Sequence, residues 1–411
     1  MNKKEQDVAP GEPAQPAATP HLLPAWTLTV AIGVLVCLLL RDRVLDAYPV
    51  PTPSMEPTIE GDEQNGDVVL VEKLWRPHPA RFDTVVFRHE RDGKFVVKRV
   101  VGLPGESIMI RDHDLWVGSS PADLSLVHKQ PCRDHDLLAT YWDSNISEGG
   151  FGSSRWLRGS TRATGGMLEL AGKDLRPTDF LPEPDRVSSR ASRAWQLRWN
   201  GRVMTGYLDG FGILQEGTAW AYDFGIEAEV RASPGAAFWV ELRHHNHVFT
   251  LSYDGQGAAT FWRAGQPVAS FHSLPALAPD RVARIIFLYL DGEFWLGVDG
   301  KDIGHVPVPL SELKASPLPE LDRPNGLALG ATKGSVFLDR LQVVHDFHYL
   351  PMGSYGVNEP CRLAADQYFV LGDNSQDSSD SRHFGPIAAS SLMGKPMLVA
   401  APWKRRRWLP R

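Results

Sequence analysis

The sequence predicts a mostly β protein with an N-terminal transmembrane helix, a split β domain, and an inserted β-sandwich. Three observations predict this: an uncharged apolar run near the start, short β-branched segments at both ends of the chain, and a long middle with turn signals. At 411 residues the chain is also too long for one compact core. The expected divisions are a disordered tail 1–21, a membrane helix 22–40, a first domain part 41–145, an insertion 146–350, and a second domain part 351–411.

The apolar run extends from Leu22 to Leu40 without a charged residue. A helix of about 19 residues rises about 28 Å, close to the thickness of a bilayer core. No small-residue cleavage site follows the run, so an uncleaved single-pass anchor is expected rather than a removed signal. Lys3 and Lys4 before it are balanced by Arg41 and Arg43 after it, so charge does not set the orientation.

The charge balance argues against nucleic acid as a partner. The net charge is -6, whereas phosphate binding needs a basic patch. The only basic run, Lys404–Arg407, is interpreted as a solvated terminus, with lipid headgroups as the alternative partner.

The cysteines leave two arrangements open. Cys37 lies in the apolar run, whereas Cys132 and Cys361 flank most of the middle of the chain. In an oxidising compartment these two could form a disulfide that clamps the ends of the insertion. Two unpaired buried thiols are the alternative, since the sequence does not give the Cα separation.

Three β-branched segments predict strands at 67–73, 84–87 and 95–101. In the third segment, alternation places Lys98 on the same face as Val96 and Val100, among apolar side chains. Desolvation disfavours an ammonium, so such a lysine can lose its proton near neutral pH and accept one from a serine hydroxyl. A lysine that extends to solvent from a sheet edge is the alternative.

Two further segments are rich in chemistry-bearing residues. Four prolines force an extended path through 48–59, and Ser54 lies where they pause, although a serine beside prolines is usually a turn residue. After a predicted strand at 368–371, the segment 372–385 is dense in short polar side chains, which is also typical of a solvated loop.

Taken together, PTPSMEPTI, GDVVLVEK, KRVVGLPGE and VLGDNSQDSSDSRHFG resemble the type I signal peptidases in order and texture. The resemblance covers about 47–106 and 366–403 and leaves the middle unexplained. It implies a membrane-bound endopeptidase that removes signal peptides from exported preproteins after small residues, commonly Ala-x-Ala. It also implies a catalytic domain on the outer face of the cytoplasmic membrane.

The resemblance also implies residue roles, with no metal or cofactor. Ser54 would be the nucleophile and Lys98 the general base, while the hydroxyl of Thr52 and the backbone N–H of Ser54 would hold the oxyanion. Ser378 would orient the lysine, and Asp380 with Arg382 would form a supporting charged pair. The residues expected to line the pocket for the small side chain before the cut, or alternatively to pack in the core, are Val50, Met55, Ile59 and Val97.

One position departs from the pattern of the family. Some members carry asparagine where this chain has Asp377. A negative charge near Lys98 would favour the ammonium and oppose the role of a base, unless it is solvated or paired.

The middle of the chain predicts a two-sheet sandwich. Side chains alternate from Tyr222 to Val230, and Asp291-Gly292 and Asp299-Gly300 indicate hairpin turns. FWLGVDGK, LALGAT and SVFLDRLQVV loosely resemble laminin-G or concanavalin-like jelly rolls, which makes cell-envelope glycan a conceivable partner; the aromatic residues are interpreted as sandwich core. The run His244–His247 is interpreted as a polar turn rather than a metal site.

Three other functions stay open. A repressor-type Ser/Lys autoprotease is disfavoured by the apolar run and the split domain. A membrane-tethered carbohydrate-binding protein with a degenerate protease half is disfavoured by the intact Ser54, Lys98, Ser378, Asp380 and Arg382. An inactive adaptor that binds signal sequences can be excluded only by an assay.

Overall fold

The computed structural model describes residues 25–43, 45–73, 78–145, 156–158, 162–164, 167–171, 196–199, 203–244, 247–314 and 326–409. The predicted tail 1–21, the start of the apolar run at 22–24, and two residues of the histidine run, 245–246, lie outside these described residues.

The N-terminal helix α1 covers Ala25–Arg43, so it begins three residues later than the predicted span and ends on Arg41-Asp42-Arg43. Several of its large apolar side chains are exposed: Trp26, Leu28, Val30, Ile32, Val34 and Leu35. Among the described residues, none of the helices combines the length and apolar character needed to cross a membrane, so the predicted span 22–40 is not confirmed.

The strands before the middle of the chain are β1 Leu45–Pro49, β2 Val68–Glu72, β3 Thr84–Arg88, β4 Phe95–Gly102, β5 Ser107–Arg111, β6 Asp114–Gly118, β7 Ser125–Leu126 and β8 Leu138–Asp143. Those of the middle are β9 Trp156–Arg158, β10 Arg162–Thr164, β11 Met167–Ala171, β12 Gln196–Trp199, β13 Tyr207–Leu208, β14 Leu214–Gln215, β15 Phe224–Ala232, β16 Ala237–His244, β17 His247–Tyr253, β18 Ala258–Arg263, β19 Gln266–His272, β20 Ala283–Leu290, β21 Glu293–Val298, β22 Lys301–Pro307, β23 Gly326–Lys333 and β24 Ser335–Asp346, with helix α2 Leu310–Lys314 after β22. The last part contributes β25 Cys361–Arg362, β26 Gln367–Leu371, helix α3 Ser381–Phe384, β27 Ile387–Ala388, β28 Leu392–Ala401 and β29 Arg407–Trp408.

The split domain is built from both ends of the chain. Its main sheet has the order β1-β2-β28-β3-β4-β26-β27, with β29 beside β28, so β4 lies between an early strand and a late one. A second sheet, β25-β5-β6-β7, also joins the two parts. The predicted strands at 67–73, 84–87, 95–101 and 368–371 are confirmed as β2, β3, β4 and β26.

The middle of the chain forms two packed sheets. One has the order β10-β11-β24-β15-β20-β21-β22, and the other β19-β18-β17-β16-β23-β12-β9. Strand β8, which precedes residue 146, pairs with β24 and so adds an upstream strand to the first sheet. Both residues of each predicted turn have positive φ, 50° and 83° at Asp291-Gly292 and 53° and 76° at Asp299-Gly300, which matches the twist of a two-residue hairpin.

Most of the described aromatic residues of the sandwich lie in its core. Phe249, Phe261, Phe287, Phe294 and Tyr289 are at most 1% exposed and stack on one another between the sheets. The interpretation of these aromatics as core packing therefore fits the described sandwich.

Of the two arrangements left open for Cys132 and Cys361, the structure has the unpaired one, with both thiols free. Cys132 packs beside Ile286 and Leu288 of the insertion, whereas Cys361 pairs with Ile108 in the small sheet and packs in a different core. Burial raises the pKa of Cys132 to about 12, so its thiol stays protonated at neutral pH.

Candidate active site

Ser54 and Lys98 come together where a turn meets the main sheet. Ser54 lies in a 3-10 turn, Pro53–Met55, and Lys98 lies in the middle of β4. Nζ of Lys98 is 2.5 Å from Oγ of Ser54, and the two side chains are only 2% and 5% exposed. A serine hydroxyl and an amine are therefore held within the distance of a direct proton transfer.

The environment of Lys98 makes its ammonium easier to deprotonate than that of an ordinary lysine. Burial lowers its pKa, and the charge of Arg382 lowers it further. The carboxylates of Asp380 and Asp373 act in the opposite direction, and the result is a pKa of about 8, against 10.5 for an ordinary lysine. Asp377, which could have opposed the role of a base, is exposed. The carboxylates that raise the pKa of Lys98 are those of Asp380 and Asp373.

Thr52 lies beside the nucleophile. Its Oγ1 is 3.4 Å from Oγ of Ser54, and its side chain is exposed at the surface. The backbone of Gly61 approaches Thr52 so closely that a Cβ at position 61 would lie 1.6 Å from the Thr52 carbonyl oxygen. Only glycine fits there, and this contact fixes the backbone just before Ser54.

The predicted charged pair is buried next to Lys98. Arg382 donates from Nε to Oδ1 of Asp380 (2.9 Å) and from Nη2 to Oδ2 (2.7 Å), and both side chains are fully buried. Burial alone would raise the pKa of Asp380, but the bonds from Arg382, Gly372 and Ser378 leave it lowered, so this carboxylate stays charged.

Ser378 contacts Asp380 rather than Lys98. Its Oγ donates to Oδ2 of Asp380 at 2.8 Å. A Cβ on residue 372 would lie 2.3 Å from this Oγ and 2.4 Å from the carbonyl oxygen of Ser54. Because Gly372 has no side chain, the segment with Ser378 can pack against the turn with Ser54. Ser378 is thus part of the support under the nucleophile.

The four residues expected to line the pocket lie together. Val50, Met55, Ile59 and Val97 share one apolar cluster with β2 and β28, and each is at most 9% exposed. This arrangement agrees with core packing, and Met55 joins the cluster to Ser54, its neighbour in the chain.

Sequence reasoning missed Arg99, the neighbour of Lys98 in β4. Alternation sends its side chain to the other face, where it donates to both carboxylate oxygens of Asp373 at 2.7 Å and to the carbonyl oxygen of Phe82 at 2.7 Å. Burial opposes its charge, but Asp373 raises the pKa of Arg99 further above its usual range. This pair fixes the loop after β26 against β4.

One acidic cluster has the spacing of metal ligands. Oxygens of Asp114, Asp223, Asp291 and Asp346 lie within 4.8 Å of one another, a donor set that suits Ca²⁺ or Mg²⁺. Nζ of Lys129, however, is 2.6 Å from Asp346 and 3.0 Å from Asp291, so an ammonium already lies among the carboxylates. Lys129 thus supplies one positive charge to this cluster, and burial, which raises the pKa of Asp114, Asp223 and Asp346, favours the protonated form of these carboxyls.

The two described members of the histidine run, His244 and His247, lie opposite each other at the end of the β16–β17 pair. His244 is buried and its Nε2 lies 2.7 Å from the carbonyl oxygen of Tyr222, which is an ordinary hydrogen bond of a core histidine. Residues 245 and 246 lie outside the described residues, so the predicted polar turn stays a prediction.

Known proteins match this chain on both sides of its middle region. A family model described as "Signal peptidase, peptidase S26" matches residues 23–164 and 337–401, half of the chain, on both sides of the middle region. "Signal peptidase I V" of Bacillus subtilis is 36% identical over 106 residues, which are 25% of this chain and 60% of that protein. "Signal peptidase IB" of Staphylococcus aureus is 23% identical over 176 residues, 41% of this chain and 88% of that protein. The chain thus spans less than two thirds of the Bacillus relative.

Among solved structures, a protein of unknown function with a galectin-like fold from Bacillus subtilis is similar to 51% of this chain, over 96% of its own length, with 11% identity and a TM-score of 0.31. An endo-1,3-beta-glucanase (laminarinase) catalytic domain from Thermotoga petrophila covers 54% of this chain and 99% of its own, with 11% identity and a TM-score of 0.32.

Proposed function

Since the chain belongs to the signal peptidase S26 family, we propose that it is a serine endopeptidase that removes signal peptides from exported preproteins. The observation that carries this proposal is the buried contact of 2.5 Å between Lys98 and Ser54, at a lysine whose pKa is lowered to about 8. A buried amine with this pKa suits a base better than a structural cation.

In the proposed reaction Oγ of Ser54 attacks the scissile carbonyl carbon while Nζ of Lys98 accepts the hydroxyl proton. The oxyanion is held by the backbone N–H of Ser54 and the hydroxyl of Thr52. As the C–N bond breaks, Lys98 returns the proton to the leaving amine, which departs with the mature protein. Lys98 then accepts a proton from water, which attacks the ester carbonyl carbon, and it returns this proton to Oγ of Ser54 as the ester bond breaks and the signal peptide leaves.

Substrate selection is proposed to follow from the surroundings of Ser54. The cluster of Val50, Met55, Ile59 and Val97 is apolar and closely packed, and it includes Met55, the residue directly after Ser54. We propose that the substrate side chain before the cut lies against this cluster, where close packing favours a small side chain, as in an Ala-x-Ala site. The glycan partner and the adaptor alternative stay predictions.

The proposed function is tested by cleavage of a preprotein with an Ala-x-Ala site. Purified wild type should produce a new N-terminus directly after the second alanine, identified by mass spectrometry, and Ser54→Ala should produce none. A matched control is Ser391→Ala, because Ser391 bonds only to the nearby carbonyl oxygen of Ala388 in the described structure. Cutting that persists in Ser54→Ala would remove Ser54 as nucleophile, and a folded but inactive wild type would favour the adaptor.

We also propose that the enzyme works at a membrane and that α1 contacts lipid. Leu28, Ile32 and Leu35 lie one turn apart along the helix and are each more than half exposed, which is costly in water. Replacing all three by serine should sharply reduce flotation with phospholipid vesicles, whereas Val268→Ser, an exposed apolar residue of the insertion, should float like wild type. Equal flotation of both variants would contradict the proposal.

A further inference from the structure

A hairpin of the insertion reaches the nucleophile. Strands β13 and β14, Tyr207–Leu208 and Leu214–Gln215, form a separate two-stranded ribbon outside the two sheets of the sandwich. We call residues 207–215 the docking hairpin, because it lies against the segment that carries Ser54. No motif of the split domain predicts this contact, since it joins residues about 150 positions apart.

Tyr207 is the centre of the contact. Its hydroxyl donates to Oε2 of Glu56 at 2.6 Å, two residues after the nucleophile. The hydroxyl oxygen of Tyr207 also accepts a hydrogen bond from Nδ2 of Asn374, at 3.0 Å. Tyr207 is 6% exposed, and its ring packs with Phe347 and Ala139. This packing of the ring fixes the position of the hydroxyl.

Asn374 extends this network to the other side of Ser54. Its Nδ2 also donates to the carbonyl oxygen of Pro53 (3.2 Å), and its backbone N–H donates to the carbonyl oxygen of Ser54 (3.2 Å). The Tyr207 hydroxyl therefore links the residue before the nucleophile, through Asn374, to the residue two positions after it.

A second contact holds the tip of the docking hairpin. The backbone N–H of Gly210 donates to Oε1 of Glu60 at 2.5 Å. The guanidinium of Arg405 lies 4.8 Å above the ring of Phe211 and donates to Asp67 at 2.8 Å. Arg405, expected to be solvated with the basic terminus, instead fastens the hairpin to the split domain.

Loss of the Tyr207 hydroxyl would disturb the nucleophile segment. Glu56 is 9% exposed, and burial raises its pKa while the bond from Tyr207 lowers it. Without that bond, Glu56 and Asn374 would each lose a partner inside the contact. The simplest relaxation is a shift of the turn that contains Ser54, and shifts of about 1 Å at a reacting group typically cost about 100-fold in rate.

We propose that Tyr207 is a positioning residue for the nucleophile, so that the insertion is a working part of the active site rather than a passive spacer. This inference rests on the proposed peptidase function. Tyr207 acts through Glu56 and Asn374 and does not touch the substrate.

The test compares Tyr207→Phe with Tyr289→Phe. Tyr289 is a matched control, because it is also buried in the insertion, at 1% exposed against 6% for Tyr207, and its hydroxyl donates to the carbonyl oxygen of Val308 at 2.8 Å, within the insertion itself. With an Ala-x-Ala preprotein, Tyr207→Phe should lower kcat by about 10- to 100-fold with little change in KM. Tyr289→Phe should keep wild-type kcat and show a similar loss of thermal stability.

A double-mutant cycle separates positioning from general damage. If Tyr207 acts through Glu56, adding Glu56→Gln to Tyr207→Phe should cost much less than Glu56→Gln costs in wild type. Full additivity, or a Tyr207→Phe variant with wild-type kcat, would overturn the inference.

A measurement without substrate distinguishes this inference from the proposed function. The backbone N–H groups of Glu56 and Ile59 are bonded to Pro53 and Met55 within the nucleophile turn. Their hydrogen exchange should be about 10-fold faster in Tyr207→Phe and unchanged in Tyr289→Phe. Unchanged exchange in both variants would sink the positioning role even if cleavage is observed, and faster exchange would support it even if no preprotein is cut.

Discussion

Lys98→Met is expected to abolish preprotein cleavage while leaving the chain folded. Methionine nearly matches the length of the lysine side chain and is better suited to a site that is 2% exposed. The variant loses only the group that accepts the Ser54 proton, and positioned proton transfer contributes about 10²- to 10⁴-fold to rates. Single-turnover cleavage, followed by mass spectrometry of the new N-terminus, measures the loss.

The matched control for this substitution is Lys395→Met. Lys395 lies in β28 of the same sheet, but its ammonium is paired with Asp83 at 2.5 Å rather than with Ser54. Its loss should lower stability slightly and leave kcat unchanged. Equal activity of Lys98→Met and Lys395→Met would remove Lys98 from the mechanism.

The same assignment fixes the pH profile of the wild type. The pKa of Lys98 is about 8 because burial lowers it more than Asp380 and Asp373 raise it. Only the neutral amine accepts a proton, so kcat/KM should rise with pH through a midpoint near 8 and level off above it. A profile that is flat from about pH 6 to 10 would indicate another base.

The proposed pair of Ser54 and Lys98 could be singled out from the sequence because both residues lie in short local motifs that resemble those of the type I signal peptidases. Alternation in β4 places Lys98 among valines, and the prolines around Ser54 mark an irregular turn. The same alternation turns Arg99 to the opposite face, where its burial depends on Asp373, 274 residues away along the chain. No local pattern identifies such a partner.

The fold shows the same limit. Turn residues such as Asp291-Gly292 predicted the hairpins of the sandwich, because a positive φ at both positions leaves a compositional trace. The pairing of β8 with β24 joins residues near 140 to residues near 344 and leaves none. Tyr207 is likewise an ordinary strand tyrosine until the hairpin docks. Tyr207 lies in a strand of only two residues, and no pattern in the sequence connects such a tyrosine with Ser54.

Lys129→Met is expected to lower the free energy of unfolding more than any of the substitutions named above. Lys129 is 3% exposed and its ammonium is the neighbour of two buried carboxylates, Asp291 and Asp346, with Asp114 and Asp223 close by. Removing one partner of a buried ion pair typically costs about 3–5 kcal/mol, because the remaining charge is uncompensated. Oδ1 of Asp346 already has no hydrogen-bond partner among the described residues, so the cluster has little capacity to compensate.

The loss should depend on pH in a definite direction. Burial raises the pKa of Asp346 to about 7 and also raises the pKa of Asp114 and Asp223. A carboxyl whose pKa is raised by folding stabilises the fold below its unfolded pKa, and this contribution is lost as pH rises through the folded value. The free energy of unfolding of the wild type should therefore be greater at pH 5 than at pH 8 as far as these groups determine it.

Urea unfolding at the two pH values measures both effects. At pH 5 the carboxyls of Lys129→Met can hold protons in place of the ammonium, so the loss relative to wild type should be smaller than at pH 8, where more of them must ionise unpaired. Lys314→Met is the control, because Lys314 pairs with Asp112 at 2.6 Å with both side chains largely exposed, and such a pair contributes little at any pH. The role of Lys129 would be contradicted if Lys129→Met lost no more stability than Lys314→Met, or lost the same amount at both pH values. Either result would mean that Lys129 is not the cation that allows four aspartates to pack together between the split domain and its insertion.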